Sequence, residues 1–377
     1  MHIVMIPRIQ KEQLEEKLKG SKLILLSGPK RVGKMTLLDE VVSGNNWTKT
    51  QFNCDDKKVR KELETSMDTT RVTTDLLILE EAQYLSNLQV ILEDVLSGAI
   101  KATTIVCCSF APRVDEILLE VLQMEGLEVP IFAPSFYESA QHFGLPEEEK
   151  LLEERLIYGN YPEVLADLEH AELTLREIIQ EALFTNLGAQ DRINKEDKMM
   201  RVLQLLAFHV GDAVSYNEIA EKSGLDNETV ERYIDLLVDA FILIKLPSYH
   251  TEKRYELKKS NAIYFADNGI RNALISNFNS IFLRNDMDAL WKNYLISERV
   301  KWIRMNNLNK KVYFWKTHTK QQLDFLEIDA NGIRAYKTDW TKKKKVKLPK
   351  AFTEAYPTAR VSVLNRSTYW TFLTSKK

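Results

Sequence analysis

The stretch Leu23-Ile24-Leu25-Leu26-Ser27-Gly28-Pro29-Lys30-Arg31-Val32-Gly33-Lys34-Met35-Thr36 decides how the N-terminal part of this chain folds. LILLS is a short continuous apolar run, as expected of a strand buried on both faces of a parallel sheet. Gly28 to Thr36 then fits G-x-x-x-x-G-K, missing only the Ser or Thr that normally follows the lysine. Its two glycines let the backbone curl so that successive N–H groups point at phosphate oxygens. Lys34 adds a positive charge, and the dipole of a helix starting at Gly33 assists. Two further apolar runs, residues 75–83 (DLLILEEAQ) and 102–110 (ATTIVCCSF), alternate with helical stretches, and residues 10–20 form a helix ahead of them. That alternation predicts a doubly wound α/β fold, a P-loop NTPase-type parallel sheet, over residues 1–133.

Two positions around the loop depart from what phosphoryl transfer asks for. The residue after the lysine normally gives a hydroxyl to Mg²⁺, a hard cation, and here it is Met35 with a soft thioether. Thr36 carries a hydroxyl but lies about 100° further round the helix. At the end of the second run, the first of two carboxylates would hold metal and the second orient water. The first is Glu80 rather than Asp, and the second, Glu81, is the candidate catalytic residue. Ser109, closing the third run, is a candidate γ-phosphate contact or a plain strand terminus.

From residue 134 to 196 the periodicity is helical, with Pro146 and Pro162 as breaks, and predicts a lid or connector. Residues 197–250 read as a winged helix-turn-helix: a helix over 198–210, a capping box at Ser215-Tyr-Asn-Glu218, a third helix capped by Asp226, and the strand FILIKL. That third helix carries Asp226, Glu228, Glu231, Asp235 and Asp239 against Arg232 alone, a surface DNA would repel. After the charged stretch His250–Ser260, residues 251–377 give a helix near 288–304, strands VYFWKT, QQLDFLEI and GIRAYKTDW, a hairpin turn at Asp329–Gly332, a helix near 349–355 and a strand at 360–364. This α-β-β-β-α-β order is a C-terminal α/β domain.

Composition bounds the rest. With 44% hydrophobic and 28% charged residues, 377 residues can bury more than one core. No apolar run approaches the roughly 20 residues of a membrane span, and the charged start does not suit a secretory segment, so the expected location is cytoplasmic. Cys54, Cys107 and Cys108 lack metal-ligand spacing and read as core, and the six histidines are scattered. Residues 301–377 hold 18 Lys+Arg against 5 Asp+Glu, leaving 34 against 49 in residues 1–300, so a tail of +13 follows a body of −15. Such a tail suits nucleic acid or an acidic protein surface, although Lys342–Lys345 alone is as readily a solvated face.

GPKRVGKMTLL, LLILEEAQYLSN, APSFYE, YGNYPEV, the run from LLAFHVGDAV to DAFILIKL, KKSNAIYFADNGIRN and VYFWKTHTKQQLDFLEI together resemble the prokaryotic AAA+-type ATP-binding proteins with a C-terminal domain of unknown function, number 4143. The resemblance implies an ATPase core, a winged helix and a restriction-endonuclease-like C-terminal domain. Against that family's pattern, Met35 replaces Thr and Glu80 replaces the metal-binding Asp. Leu127 after Gly126 stands where an arginine would contact γ-phosphate, and Lys337-Thr-Asp339 stands for the nuclease-like E-x-K. Asp324 and Asp339 with Lys337, and Glu298 on the preceding helix, are candidate metal-site residues, in an order that argues against nuclease activity. ATP or ADP is the expected cofactor, held by Gly28 to Thr36, with Mg²⁺ in doubt. Binding without turnover as a switch is the leading expectation. The alternatives are an active Mg²⁺-dependent ATPase acting with DNA, and a scaffold for protein partners or a homo-oligomer, which a loop obstructed by Met35 or Arg31 would favour.

Overall fold

The computed structural model of the protein describes residues 5–44, 46–66, 72–183, 196–250, 260–341 and 346–376. Lys342–Lys345, residues 251–259 of the charged stretch and the end of LTLREIIQEALFTNL lie outside them. Among the described residues no helix is long and apolar enough to cross a membrane.

Five parallel strands form the first sheet, β1 (Leu23–Ser27), β2 (Lys49–Asn53), β3 (Leu76–Glu80), β4 (Thr103–Cys108) and β5 (Glu128–Pro130), in the order β2-β3-β4-β1-β5. The apolar runs of β1, β3 and β4 are buried because helices cover both faces. β2 and β5 escape an apolar-run reading, since KTQFN alternates exposed and half-buried at the sheet edge and EVP is three residues long. On one face α1 (Gln10–Gly20) and α2 (Lys34–Ser43) pack Leu14, Leu18, Leu37 and Leu38 against Ile24, Leu26 and Ile105, in a cluster that continues to Leu274. The other face is covered by α3 (Lys57–Ser66), α4 (Leu88–Ser97) and α5 (Glu116–Met124).

Five helices follow: α6 (Phe136–Phe143), α7 (Leu145–Lys150), α8 (Leu152–Tyr158), α9 (Pro162–Ala166) and α10 (Ala171–Gln180). Pro146 and Pro162 sit in the first turns of α7 and α9, where a missing N–H costs nothing. Then come α11 (Glu196–Phe208), α12 (Tyr216–Ser223) and α13 (Asn227–Asp239), and the antiparallel pair β6 (Leu243–Pro247) and β7 (Asn261–Phe265). Asp226 caps α13, accepting from Thr229 N at 2.7 Å. The box expected at Ser215 is only half formed. Its hydroxyl accepts from Glu218 N, but the Glu218 carboxylate pairs with Lys222 instead of reaching back.

The C-terminal part holds α14 (Asn268–Leu274), α15 (Met287–Met305), β8 (Lys311–Lys316), β9 (Gln322–Asp329), β10 (Gly332–Thr338), α16 (Lys350–Ala355), β11 (Arg360–Leu364) and α17 (Tyr369–Thr374). Its sheet runs β11-β10-β9-β8, antiparallel except for the parallel β10–β11 pair. The expected order is present, with α17 added at the end. Phe325 and Phe372 pack with α15 on one face, and Trp315, Leu326 and Phe352 of α16 on the other.

Segments far apart in sequence meet at Glu298 of α15, which is 2% exposed. Its carboxylate accepts from Phe136 N (2.7 Å), Asn160 Nδ2 (3.2 Å) and Lys301 Nζ (2.7 Å). Asn160 N donates in turn to Asp267 Oδ2 at 2.8 Å, and Asp267 caps α14. Gly159 is needed there, because a Cβ would lie 1.9 Å from Asp267 Oδ1. Removing one partner of a buried charge pair typically costs about 3–5 kcal/mol. Glu298→Ala should therefore destabilise the protein by that order in urea titrations, with Glu298→Gln losing clearly less because it keeps an acceptor for Phe136 N.

Candidate functional site

The chain leaves β1 at Ser27 and bends through Gly28 (φ 145°), Arg31 (φ 62°) and Gly33 (φ 92°) before α2 begins. A Cβ at Gly28 would lie 1.8 Å from the Ile131 carbonyl oxygen, so the close approach of β5 requires glycine. Pro29 and Val32 are buried beneath the bend. Lys34, 7% exposed, donates to the carbonyls of Gly28 and Pro29, both at 2.8 Å. Burial pushes its pKa down, and the negative charge of Glu81 opposes that shift. Above the bend opens a cleft of about 710 Å³ bordered by Lys30, Met35, Thr36, Glu80 and Glu81, and by Pro162 of α9. Met35 is half-buried against the apolar core, while Thr36 is exposed to the cleft. Arg31 turns aside to the helical segment, where Glu163, Glu177 and Glu181 surround its guanidinium.

The strand order brings the acidic pair to the loop, with β4 between β1 and β3. Glu80 closes β3 and accepts from Gln51 Nε2 of β2. Glu81 adopts φ 50°, in the left-handed region, and its Oε2 accepts from Ser109 Oγ and from Gln83 Nε2 at 2.7 Å. Lys30 Nζ lies 3.9 Å from the same oxygen. Ser109 is fully buried, so here it holds Glu81 rather than facing the cleft. The three cysteines are free and buried, as expected of core, and burial pushes the Cys54 and Cys107 thiols up to about 12.

Arg8 was not singled out by the sequence reading, yet it straps the loop. Its guanidinium donates to Val32 O at 2.9 Å and to Phe132 O, and it pairs with Glu138 Oε1 at 3.1 Å. Glu138 in turn completes a capping box with Ser135 at the start of α6. An arginine inside the apolar run MIPRI, and a Ser-x-x-Glu in APSFYE, were the available signals.

Other expected residues are not brought together. Leu127 precedes β5, where its carbonyl accepts from Leu25 N. It is therefore about 10 Å back along β1 from the loop at 3.3 Å per residue, buried in apolar core. Glu298 belongs to the buried node and not to a cluster with Asp324. Asp324 is fully buried and faces Lys337 (3.2 Å) and Lys292 (3.5 Å), with Thr338 N donating at 2.9 Å. Asp339 accepts from Thr341 N and Oγ1. Among the described residues no group of three or more His, Cys, Asp or Glu is placed to hold a metal ion.

Sheet and loop together define a doubly wound parallel α/β fold with a phosphate-loop-type bend between β1 and α2. A family model described as a domain of unknown function, number 8612, matches residues 149–280, from the end of α7 past α14. An uncharacterized protein of Haemophilus influenzae is 24% identical over 204 residues, 52% of this chain and 51% of that protein. One of Mycobacterium tuberculosis is 25% identical over 136 residues, 36% of this chain and 30% of that one. The chain thus spans about half or less of the curated relatives it matches. Similar solved structures include a Walker-type ATPase of Pyrococcus abyssi (14% identity, 72% of this chain and 96% of that one, TM-score 0.45). Another is the RuvB Holliday junction branch migration motor of Thermotoga maritima (17% identity, 64% and 90%, TM-score 0.31).

Burial alone would raise the pKa of Asp324, but Lys292, Lys337 and the Thr338 N–H hold it below the usual carboxylate value. A depressed folded-state pKa stabilises above the unfolded value and loses that contribution as pH falls through the folded one. Asp324→Asn should therefore cost about 3 kcal/mol in denaturant titrations at pH 7. The gap should stay constant down to about pH 4 and narrow only below it.

Proposed function

We propose that this protein binds a purine nucleoside di- or triphosphate on Gly28 to Thr36 and acts as a nucleotide-dependent switch, with hydrolysis weak or absent. The observation that carries this reading is the bend itself: a glycine-bearing turn from a buried strand into a helix, open to a cleft, with the Lys34 ammonium resting on the loop's own carbonyls. Those carbonyl contacts are replaceable by phosphate oxygens without moving the backbone. Arg31 and Met35 both border the cleft and leave it open, which argues against the scaffold alternative.

Weak turnover follows from three features. Met35 offers no hard oxygen for Mg²⁺, Glu80 stands a methylene longer than Asp, and Glu81 is engaged by Ser109, Gln83 and Lys30. If Mg²⁺ enters with nucleotide, Glu80 is the side chain on this chain that would hold it. We read α11–α13 with β6–β7 as a winged helix that docks within the protein or on a protein partner. Asp226, Glu228, Glu231 and Asp235 are exposed on it, and Asp235 already pairs with Lys245 at 2.6 Å. Nucleic acid, if bound, would meet the basic C-terminal part, where Lys311, Lys320, Lys347 and Arg360 are exposed. The divisions at 133/134, 196/197 and 250/251 remain our working domain boundaries.

Isothermal titration of the full chain with ATP, ADP and GTP should give dissociation constants of roughly micromolar order, and Lys34→Ala should remove the signal. Phosphate release should stay at the level of a Glu81→Gln variant. No heat with any of the three at high protein concentration defeats the reading.

A further inference from the structure

We propose that Arg31 latches the helices α9 and α10 onto the phosphate loop, and that a bound polyphosphate releases them by taking the guanidinium away from their carboxylates. This rests on the loop being a polyphosphate site. Arg31 Nε donates to Glu163 Oε1 at 3.0 Å while Nη2 donates to the other oxygen, a forked pair that orients as well as attracts. Nη1 lies 3.4 Å from Glu177 Oε2 on α10 and 3.6 Å from Glu181 Oε1 just past its end. The residue sits at φ 62°, a conformation a non-glycine side chain keeps only when its surroundings enforce it.

Three carboxylates therefore share one cation, and the guanidinium is the charge that lets them approach the loop. A phosphate is an equally good forked acceptor, so a nucleotide offers Arg31 a second partner two residues from Gly33. Once the guanidinium turns to it, Glu163, Glu177 and Glu181 face polyphosphate with no second ion-pair partner among the described residues. The helical segment presents Pro162, Glu163, Ala166, Asp167, Thr174 and Glu181 to the cleft, with no cation among them to hold it closed. Repulsion then moves α9 and α10 outward, so binding opens this segment. α10 transmits that motion: it shares its buried face with Ile270 and Leu274 of α14, and Arg176 donates to Ser276 Oγ at 3.1 Å.

The test compares the wild-type chain with the triple variant E163Q/E177Q/E181Q, whose side chains are 45%, 50% and 47% exposed and so leave the core intact. Glu172→Gln, on α10 but paired with Arg176, is the control. Amide hydrogen exchange over residues 162–181 should be slow in wild type, rise on adding ATP, and be fast in the triple variant without nucleotide. ATP should bind the triple variant about tenfold or more tightly than wild type, and the control should behave as wild type. Binding by the triple variant alone also supports the latch. An equal dissociation constant in wild type and triple variant, or exchange over 162–181 that stays level or falls when ATP binds wild type, overturns the latch and leaves the nucleotide site standing. Binding to neither overturns the nucleotide reading, and release by polyphosphate with it.

Discussion

A carboxylate stripped of water, that of Glu298, fixes how the helical segment and the C-terminal part meet. Bringing an ion out of water costs several kcal/mol even in a relaxed protein. Here the cost is offset because backbone, amide and ammonium donors fill the oxygens from three directions. Apolar contacts between the same segments, such as Phe136 with Tyr369, favour association but tolerate sliding. Directional bonds do not. We interpret the node as what sets the angle of α6 and of the α8–α9 turn, and the asparagines around it extend that control. Asn268 Nδ2 and Asn272 Nδ2 both donate to Leu156 O, and Asn293 Nδ2 donates to Phe265 O.

The node is wired to the phosphate loop by side chains, not only by shared core. Phe136, whose N–H meets Glu298, opens the helix whose Glu138 holds Arg8, and Arg8 holds Val32 of the loop. The loop therefore has two arginine attachments of different kinds. Arg8 is half-buried, bonded to backbone and to a buried, already engaged carboxylate, so its release is expensive. Arg31 is partly exposed and paired with exposed glutamates, where ion pairs are weak and exchangeable. The loop is thus held firmly on its β5 side and by exchangeable ion pairs on its α9 side.

Where physics was local, the chain could be read. β1, β3 and β4 announce themselves by burial on both faces, Asp226 by its cap, and the β9–β10 hairpin by Asp329-Ala-Asn-Gly332. The phosphate loop was legible for the same reason: its backbone bend is set locally by two glycines. What escaped depends on partners distant in sequence. Edge strand β2 has no apolar run, Glu298 is one acidic residue among many until Phe136 N and Asn160 arrive, and Arg8 finds Glu138 across 130 positions. Glu298 was misplaced by arguing from linear order, which does not say which face of a helix a residue occupies. Ser109 stood at the expected strand end, but its neighbour Glu81, not the cleft, took its hydroxyl.

The departures at Met35 and Glu80 bear differently on the two halves of nucleotide chemistry. Holding a polyphosphate draws on main-chain N–H groups, the start of α2 and one ammonium, and none of these depends on the side chain at 35 or 80. Turnover draws on metal coordination and a free carboxylate in the transition state, where charge is redistributed. Met at 35 offers no hard ligand and packs against core, and the Glu81 carboxylate is engaged by Ser109, Gln83 and Lys30. The Lys34 contacts to Gly28 and Pro29 belong to the first half: they hold the ammonium on the loop's own carbonyls, within the bend.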